Sequence, residues 1–397
     1  MPELTVEALS ASRPAGAEVP LCVPALGGNE RRYVGECFDE GALTGGRFVD
    51  RFERELAAVT GAGFAIATAS GTAALHVALL LAGVEPGDEV LVPATTFVAP
   101  ANAVRYVGAR PVFVDAEPRY WQIDPDKLEE FLVRECSRRR GVLRNRASGR
   151  RVRALLPVHV LGHPVDLDRI AALADEYGLV VVEDAAEGLG ARCRGCMAGS
   201  VGRCGCLSFN GNKLVTAGGG GAILTGDPAL ARRARYLIAQ AKDDPGEYVH
   251  GEVGFEYRLS NLHAAVGVAQ LERLDAHIAA KRRIADAYGR AFAGVPGVTC
   301  MAEAPWASST FWMYTIRVDE AEYGLSSRAL IRKLADAGIR SRPLWRPVFA
   351  SAPYRRCQAY RCEVAVELGR DALSLPCSVG LTDADQARVV GVVAGRD

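Results

Sequence analysis

Lys213 stands in a local sequence that indicates nucleophilic chemistry. It ends the segment Ser208-Phe209-Asn210-Gly211-Asn212-Lys213, and the glycine run Gly218–Gly221 follows shortly afterwards. The 397-residue chain contains five lysines against 42 arginines, so a lysine among small residues stands out. A buried amine can lose its proton and attack a carbonyl carbon, which an arginine cannot do. Lys213 is therefore a candidate for covalent attachment of an aldehyde.

Two carboxylates precede this lysine. Asp184 ends the apolar segment Leu179–Asp184, and Glu187 lies three residues further on. A carboxylate at the end of a buried strand needs a partner, which is either a structural salt bridge or a protonated ring nitrogen. With Lys213 for an aldehyde and Asp184 for a pyridine nitrogen, the pattern predicts a pyridoxal phosphate site. Glu187 is then placed to reach the cofactor's phenolic oxygen or the incoming amine.

The segment Thr68-Ala69-Ser70-Gly71-Thr72 predicts a binding site for the cofactor phosphate. It connects a predicted strand, Phe64–Thr68, to a predicted helix, Thr72–Leu81. The first amides of a helix lack partners within the helix and lie at its positive end, which favours a phosphate. Serine and threonine are equally typical of simple helix capping, so this motif alone leaves both interpretations open. Ser208 is a second predicted phosphate ligand.

Phe97 is a candidate to stack on the pyridine ring. It lies in Pro93-Ala94-Thr95-Thr96-Phe97, directly after the predicted strand Glu89–Val92. Open α/β sheets place their ligands at this carboxyl end of the strands. A phenylalanine that merely fills the core is the alternative.

Composition argues against several other classes of function. Forty-seven basic and 47 acidic residues cancel, so no global field draws the chain to nucleic acid or to an anionic membrane. The N-terminus lacks a basic segment followed by an apolar one, and no apolar run reaches membrane-spanning length. We expect a cytoplasmic protein with reduced thiols that binds neither nucleic acid nor membrane.

Four of the 11 cysteines raise the hypothesis of a zinc site: Cys193, Cys196, Cys204 and Cys206. On an extended strand the last two share a face but stand roughly 7 Å apart, whereas thiolates on one zinc lie about 4 Å apart. We therefore expect ordinary thiols and no metal. Residues 134–153 contain nine arginines interrupted by glycine and serine, which is typical of a solvated loop.

The elements that position these residues alternate along the chain. Between residues 45 and 280, apolar strands alternate with amphipathic helices, which predicts a large α/β domain with a mostly parallel sheet. Residues 1–44 are predicted to form an arm that packs with the small domain, and residues 281–397 a smaller α+β domain. One long charged helix is expected over about 265–291. The remaining predicted strands of the large domain are Pro111–Asp115, Ala154–Val158, Leu207–Phe209 and Ala222–Thr225.

Five motifs in order resemble those of the DegT/StrS sugar aminotransferases. These are pyridoxal phosphate enzymes of fold type I, the aspartate aminotransferase-like fold. The resemblance runs from Pro20 to about Val389 and rests on the segments Ser70–Leu75, Pro93–Ala99, Val182–Gly190, Ser208–Gly221 and Gly254–Asn261.

The resemblance implies roles for individual residues. Lys213 would hold the cofactor aldehyde, and Asp184 would bind the pyridine nitrogen. Phe97 would stack on the pyridine ring. The phosphate would be held by Gly71, Thr72 and Ser208. The family usually has an asparagine that reaches the neighbouring subunit's phosphate, where this chain has Glu256. Because a carboxylate repels a phosphate, Glu256 either turns away or weakens cofactor binding.

Within the family, the chain is most similar to the LegC-type branch, which aminates nucleotide-linked 4-keto-6-deoxy-N-acetylglucosamine. The similarity rests on the Lys213 segment, Val158–Asp166, Gly149–Arg153 and Arg342-Pro343-Leu344-Trp345. It implies L-glutamate as the amino donor, a UDP-linked keto sugar as the acceptor, and a homodimer with active sites at its interface.

Candidate substrate contacts are His159, His163 and Arg342, and a structural role is the alternative for each. The basic stretch with Arg150, Arg151 and Arg153 is a candidate for contacts with the diphosphate of the substrate.

Three alternative functions on this fold differ in what they require at position 213. A keto-cyclitol aminotransferase would differ only in its substrate pocket and stays open. A sugar dehydratase would lack the lysine, and a non-catalytic regulatory protein would not need one at position 213. Lys213 argues against both of these.

Overall fold

An eight-stranded sheet forms the centre of the protein. The computed structural model describes residues 17–244 and 246–395. Strands and helices are numbered here in chain order. From edge to edge the central sheet contains β1 (Phe64–Thr68), β11 (Gly221–Thr225), β10 (Cys204–Ser208), β7 (Val180–Asp184), β6 (Val152–Leu155), β2 (Glu89–Pro93), β3 (Arg110–Val114) and β18 (Ala359–Tyr360). Within this sheet β11 alone runs against the others, so the predicted mostly parallel sheet is confirmed.

Helices cover both faces of the sheet because its strands are apolar on both sides. Along β11, Ala222 and Leu224 pack into one apolar cluster and Ile223 into another. Alternate side chains of a strand point to opposite faces, so each cluster marks one covered face. The helices of this part of the chain are α1 (Glu30–Asp39), α2 (Arg47–Thr60), α3 (Gly71–Leu81), α4 (Ala99–Tyr106), α5 (Pro125–Glu135), α6 (Leu167–Tyr177), α7 (Pro228–Ile238) and α8 (Asn261–Leu271).

A smaller α+β unit follows α9 (Leu274–Phe292). Its antiparallel sheet contains β14 (Val298–Cys300), β16 (Tyr314–Val318), β19 (Ala372–Leu375) and β17 (Arg342–Pro343). Its helices are α10 (Glu320–Tyr323), α11 (Ser327–Asp336), α12 (Glu363–Asp371) and α13 (Asp383–Ala394). The short strands outside both sheets are β4 (Cys136–Arg139) with β5 (Val142–Asn145), β8 (Arg192–Cys193) with β9 (Cys196–Met197) and β15 (Ala307–Ser308), and β12 (Lys242–Asp244) with β13 (Val249–His250).

Several strand ends meet at one edge of the central sheet. β1 leads into α3, β2 leads towards Phe97, β7 ends at Asp184 and β10 ends at Ser208. Because these four strands run in the same direction, their carboxyl ends lie side by side, where open α/β sheets bind ligands. The antiparallel β11 begins at this edge and brings the glycine run with it.

The predicted long helix over about 265–291 is wrong. Two helices, α8 and α9, are separated at Glu272 and Arg273, where Arg273 leaves the helical conformation. The Glu272 carboxylate accepts hydrogen bonds from Asn29 (2.7 Å) and Tyr33 (2.6 Å) of the N-terminal arm. These contacts come from residues far away in the sequence, which explains why the local helical pattern did not reveal the break.

The arginine-rich segment 134–153 is a hairpin at its centre, not a loop. β4 and β5 pair in register around Arg140 and Gly141, which both have positive φ (53° and 79°). A two-residue turn of this kind matches the twist of the paired strands.

The predicted domain limits also need adjustment. The limit at residue 280 falls within α9, and β18, which lies in the segment 281–397, joins the large sheet. Residues 1–16 of the predicted arm lie outside the described residues. Residues 17–44 contact both units, because Val19 pairs with Ile339 while α1 packs against α8.

Gly205→Ala should destabilise the fold, because a Cβ at this position would overlap the carbonyl group of Gly199 behind β10. We expect the free energy of unfolding to fall by about 3 kcal/mol, measured by chemical denaturation. Gly35→Ala is the control, since a Cβ on α1 there meets nothing within 4 Å. Alanine in a helix should be neutral or stabilising by up to about 1 kcal/mol. Equal stability of the two variants would contradict the packing described for β10.

Candidate active site

A cavity of about 340 Å³ opens at the carboxyl edge of the central sheet. It brings together residues that are far apart in the sequence. Eight of the ten predicted site residues line it: Gly71, Thr72, Phe97, Asp184, Glu187, Ser208, Lys213 and Arg342.

The Lys213 amine lies between an acidic and an aromatic group. Its Nζ is 3.4 Å from Oε1 of Glu187 and 4.0 Å from the centre of the Trp312 ring. The Glu187 carboxylate accepts a hydrogen bond from the amine, and the electron-rich face of the indole lies against it. The contacting groups are themselves held, because Glu187 Oε2 accepts from the Leu161 amide (2.8 Å) and Trp312 Nε1 donates to the Asn212 carbonyl (2.8 Å). The amine is thus positioned at the cavity wall before any ligand enters.

Asp184 is a buried carboxyl group with little to balance its charge. In the described part of the chain its side chain accepts one hydrogen bond, from the Ala186 amide (2.9 Å). Burial, helped by the nearby Glu187 charge, raises the pKa of Asp184 to about 6. The Ala186 amide and the positive charge of Lys213 act in the opposite direction. A carboxyl group in this position is well suited to accept a hydrogen bond from a protonated pyridine nitrogen.

The start of α3 provides a pocket for a phosphate. Ser70 caps the helix by accepting from the Ala73 amide (3.0 Å), which leaves the earlier amides of Gly71 and Thr72 for a ligand. A Cβ on Gly71 would lie 2.8 Å from Ser208 Cβ and 3.3 Å from Ser208 Oγ. Glycine is therefore needed here for the Ser208 hydroxyl to come close to the helix start.

These groups fit pyridoxal phosphate. The amides and hydroxyls would hold its phosphate, the Asp184 carboxyl group would face its ring nitrogen, and the Lys213 amine would bind its aldehyde. The Gly71–Ser208 contact and the raised pKa of Asp184 are features of the protein itself that this cofactor would satisfy.

An aromatic wall closes another side of the cavity. Phe97 is 54% exposed and its ring centre lies 6.3 Å from that of Trp345, while Arg342 lines the cavity nearby. The exposure of Phe97 argues against the core alternative. Trp312 and Trp345 were not predicted as site residues, although the chain has only four tryptophans and Trp345 lies in the Arg342 motif. Their rarity was the signal that could have identified them.

His159 and His163 need correction as substrate contacts. Both rings are fully buried and neither lines the cavity. His159 bonds Glu183 through Nε2 (2.9 Å) and accepts from the Val165 amide through Nδ1 (3.2 Å). His163 bonds the Pro164 carbonyl (2.7 Å) and accepts from the Ala304 amide (3.0 Å). With every ring nitrogen engaged by the protein, neither histidine can bind a substrate, and the structural alternative holds.

His159 instead supports the strand that carries Asp184. The Glu183 carboxylate is fully buried, and burial alone would raise its pKa. The hydrogen bonds from His159 and from the Gly202 and Gly199 amides outweigh burial and lower it. The His159 amide also donates to the Asp184 carbonyl (3.0 Å). This network fixes the backbone from which the Asp184 side chain enters the cavity.

The prediction that Arg150, Arg151 and Arg153 contact the substrate diphosphate is wrong for the cavity of their own chain. Arg150 donates to the Gly87 carbonyl (3.1 Å), Arg151 pairs with Asp88 and Arg153 donates to the Ala82 carbonyl (3.0 Å). These arginines lie at the amino end of β6, and the cavity lies at the carboxyl ends of the strands.

Glu256 turns to a basic neighbour. Its two carboxylate oxygens accept from Nε and Nη2 of Arg258, each at 2.9 Å, on the protein surface. Glu256 does not line the cavity of its own chain. Its effect on the neighbouring subunit's phosphate stays a prediction.

The described residues also bear on a metal site and on a membrane-spanning helix. Among them, no set of three or more histidine, cysteine or acidic side chains is arranged to hold a metal ion. Cys204 and Cys206 are buried in the central sheet, whereas Cys193 and Cys196 lie in the β8–β9 hairpin. The described helices include none with the length and apolarity to cross a membrane.

Comparisons with known proteins agree with this geometry. The model of the DegT/DnrJ/EryC1/StrS aminotransferase family matches residues 24–394. The GDP-perosamine synthase of Caulobacter vibrioides is 41% identical over 379 residues, which cover 94% of this chain and 97% of that protein. The GDP-perosamine synthase of Escherichia coli O157:H7 is 34% identical over 366 residues, with coverage of 92% and 94%. The crystal structure of S. venezuelae DesV in complex with a ketimine intermediate is 31% identical and superposes with a TM-score of 0.86, covering 96% of this chain and 98% of that one.

Asp184→Asn should stabilise the cofactor-free protein near neutral pH. The folded pKa of about 6 lies above the ordinary 3.8, so the folded state binds more protons than the unfolded state between these values. Stability therefore falls as the pH rises through this window, and asparagine removes the effect. At about pH 7.5 we expect a gain of about 1–3 kcal/mol in the free energy of unfolding. The gain should vanish near pH 4. If Asp184→Asn were no more stable than the wild type at about pH 7.5, the burial of Asp184 without a compensating charge would be contradicted.

Proposed function

Because the chain belongs to the DegT/DnrJ/EryC1/StrS aminotransferase family, we propose that it transfers the amino group of L-glutamate to C4 of a nucleotide-linked 4-keto-6-deoxy sugar. It is a pyridoxal phosphate-dependent sugar aminotransferase. The observation that carries the proposal is the placement of Lys213 in one cavity with Asp184 and the start of α3.

Two nucleotides are candidates for the acceptor. The sequence motifs favour UDP-linked 4-keto-6-deoxy-N-acetylglucosamine. The two GDP-perosamine synthases among the relatives favour a GDP-linked sugar as the second candidate. A keto-cyclitol acceptor is the third, and it would carry no nucleotide. A non-catalytic regulatory role is not favoured, because such a protein has no use for the Lys213–Glu187 pair.

Each residue of the cavity has a role in this proposal. When bound, pyridoxal phosphate supplies an aldehyde that accepts the amino group and a ring that stabilises negative charge on the reacting carbon. Asp184 would keep the ring nitrogen protonated, and Phe97 would pack on the ring face. Lys213 Nζ removes the proton from the amino-acid α-carbon and later delivers a proton to C4 of the sugar. Glu187 and Trp312 hold that amine within reach of both positions.

The homodimer also belongs to the proposal. Apolar side chains around the β12–β13 hairpin support a contact surface there, since Tyr248 is 71% and Val253 82% exposed. Sedimentation of the purified protein would test it, and a monomer at micromolar concentration would contradict it.

Lys213→Ala should abolish amino transfer while the fold stays intact, because one side chain carries both the covalent attachment and the proton transfer. We expect turnover to fall at least about a thousandfold, equivalent to about 4 kcal/mol in the barrier. Lys333→Ala is the matched control, because Lys333 lies on α11 and bonds the Val392 carbonyl. Borohydride reduction followed by peptide mapping should find cofactor on residue 213 in the control and none in Lys213→Ala. Turnover above about a tenth of wild type would refute the assignment.

The nucleotide form of the acceptor should react far better than the free keto sugar. Binding energy from the remote nucleotide positions C4 for reaction, so its loss lowers kcat/KM. We expect a difference of at least about a hundredfold, measured with L-glutamate as donor across UDP-linked, GDP-linked and free keto sugars. Equal kcat/KM for free and linked sugars would favour the keto-cyclitol candidate instead.

A further inference from the structure

Lys281 is a fully buried lysine that the proposed reaction does not use. It lies on α9 and is 2% exposed. Its Nζ donates to the carbonyls of Trp312 (2.8 Å) and Cys377 (2.5 Å). The same atom lies 3.7 Å from Sγ of Cys22 and 3.6 Å from Sγ of Cys377. One buried amine therefore touches two thiols that come from opposite ends of the chain.

The backbone holds these two cysteines side by side. The Cys377 amide donates to the Leu21 carbonyl (2.8 Å), and the Val23 amide donates to the Ser378 hydroxyl (3.0 Å). These bonds join the residues on either side of Cys22 to the segment that contains Cys377. Because both Sγ atoms contact the same Lys281 Nζ, the two sulfurs lie near each other. The pair can thus be linked without separating the two segments.

The environment favours one negative charge on the pair. The hydrogen bond from Cys22 lowers the pKa of Cys377 to about 5 against the effect of burial, and the Lys281 ammonium lowers it further. The same bond raises the pKa of Cys22. The two shifts favour a thiolate on Cys377 opposite Lys281 and a thiol on Cys22, so the Cys22 proton has an acceptor in the neighbouring sulfur. A thiolate is the form of cysteine that reacts with oxidants.

We propose that Cys22 and Cys377 form an oxidation-sensitive dithiol that a hydroperoxide converts into a disulfide. Cys22 is partly exposed and Cys377 is buried, so the reaction begins at Cys22. Its proton moves to Cys377, and its sulfur attacks a peroxide oxygen as the O–O bond breaks. The products are a sulfenic acid on Cys22 and, after protonation, water or an alcohol. The Cys377 sulfur then attacks Cys22, the S–S bond forms, and hydroxide leaves with the Cys377 proton as water. The two sulfurs together lose two electrons, which reduce the peroxide.

This site adjoins the loop of the catalytic lysine. Asn212, the residue before Lys213, has its carbonyl 3.6 Å from Cys22 Sγ and 2.8 Å from Trp312 Nε1. The disulfide has no S–H group, so it removes one of these two donors from the Asn212 carbonyl. The modification therefore alters a hydrogen bond at the backbone of the Lys213 segment.

The test treats the cofactor-loaded enzyme with one equivalent of hydrogen peroxide, alkylates the remaining thiols and maps peptides by mass. We expect two fewer alkylated cysteines among the 11, a linked peptide pair containing Cys22 and Cys377, and full reversal by dithiothreitol. Eleven alkylated cysteines after treatment, a link between other cysteines, or sulfinic acid on Cys22 without a link would overturn the proposal.

Variants sharpen the test. Cys22→Ser should abolish the link, and Cys196→Ser, which removes an exposed thiol, should leave it intact. Lys281→Met should slow formation of the link at least about tenfold, because the thiolate loses its counter-charge. If Lys281→Met fails to fold, the two serine variants still decide the matter, since a link that persists in Cys22→Ser refutes the assignment.

Discussion

The buried carboxyl group of Asp184 is the constraint on which the rest of the site depends. Burial raises its pKa to about 6, and the neighbouring Glu187 adds negative charge to the same space. Such a group is costly unless a positive partner arrives. In the proposed function a protonated pyridine ring nitrogen would supply that partner, because Asp184 lines the cavity. The network around Glu183 and His159 holds this strand end in place.

The remaining parts of the site follow from the direction of the strands. A ring nitrogen at Asp184 would fix one end of the cofactor. The ends of β1 and β10 would then hold its phosphate through Gly71 and Ser208, which meet closely because position 71 has no side chain. Lys213 reaches the same space from the loop between β10 and β11. Parallel strands thus bring a nucleophile, an acid and a phosphate site to one edge from segments more than a hundred residues apart.

The sequence predicts residues whose role shows in their immediate sequence neighbours. It does not predict the role of residues whose partners lie far away in the sequence. Asp184 and the start of α3 each sit in a strand-to-turn pattern that marks a sheet edge, and Lys213 is a rare lysine among small residues, so the sequence alone predicts all three. His159 and His163 were candidate substrate contacts because nothing nearby in the sequence shows the Ala304 amide or Glu183 that engage them. Arg151 looked free for the same reason, although Asp88 neutralises it. Trp312 comes from the smaller unit, so only the assembled fold places it under the catalytic amine.

The protonation state of the bound cofactor tests this account most directly. Enzyme loaded with pyridoxal phosphate that is isotope-labelled at the pyridine nitrogen can be examined by nitrogen NMR at neutral pH. The account predicts the chemical shift of a protonated ring nitrogen in the wild type, and that of an unprotonated one in Asp184→Asn. An unprotonated nitrogen in the wild type, or the same shift in both proteins, would show that Asp184 does not bind the ring as described.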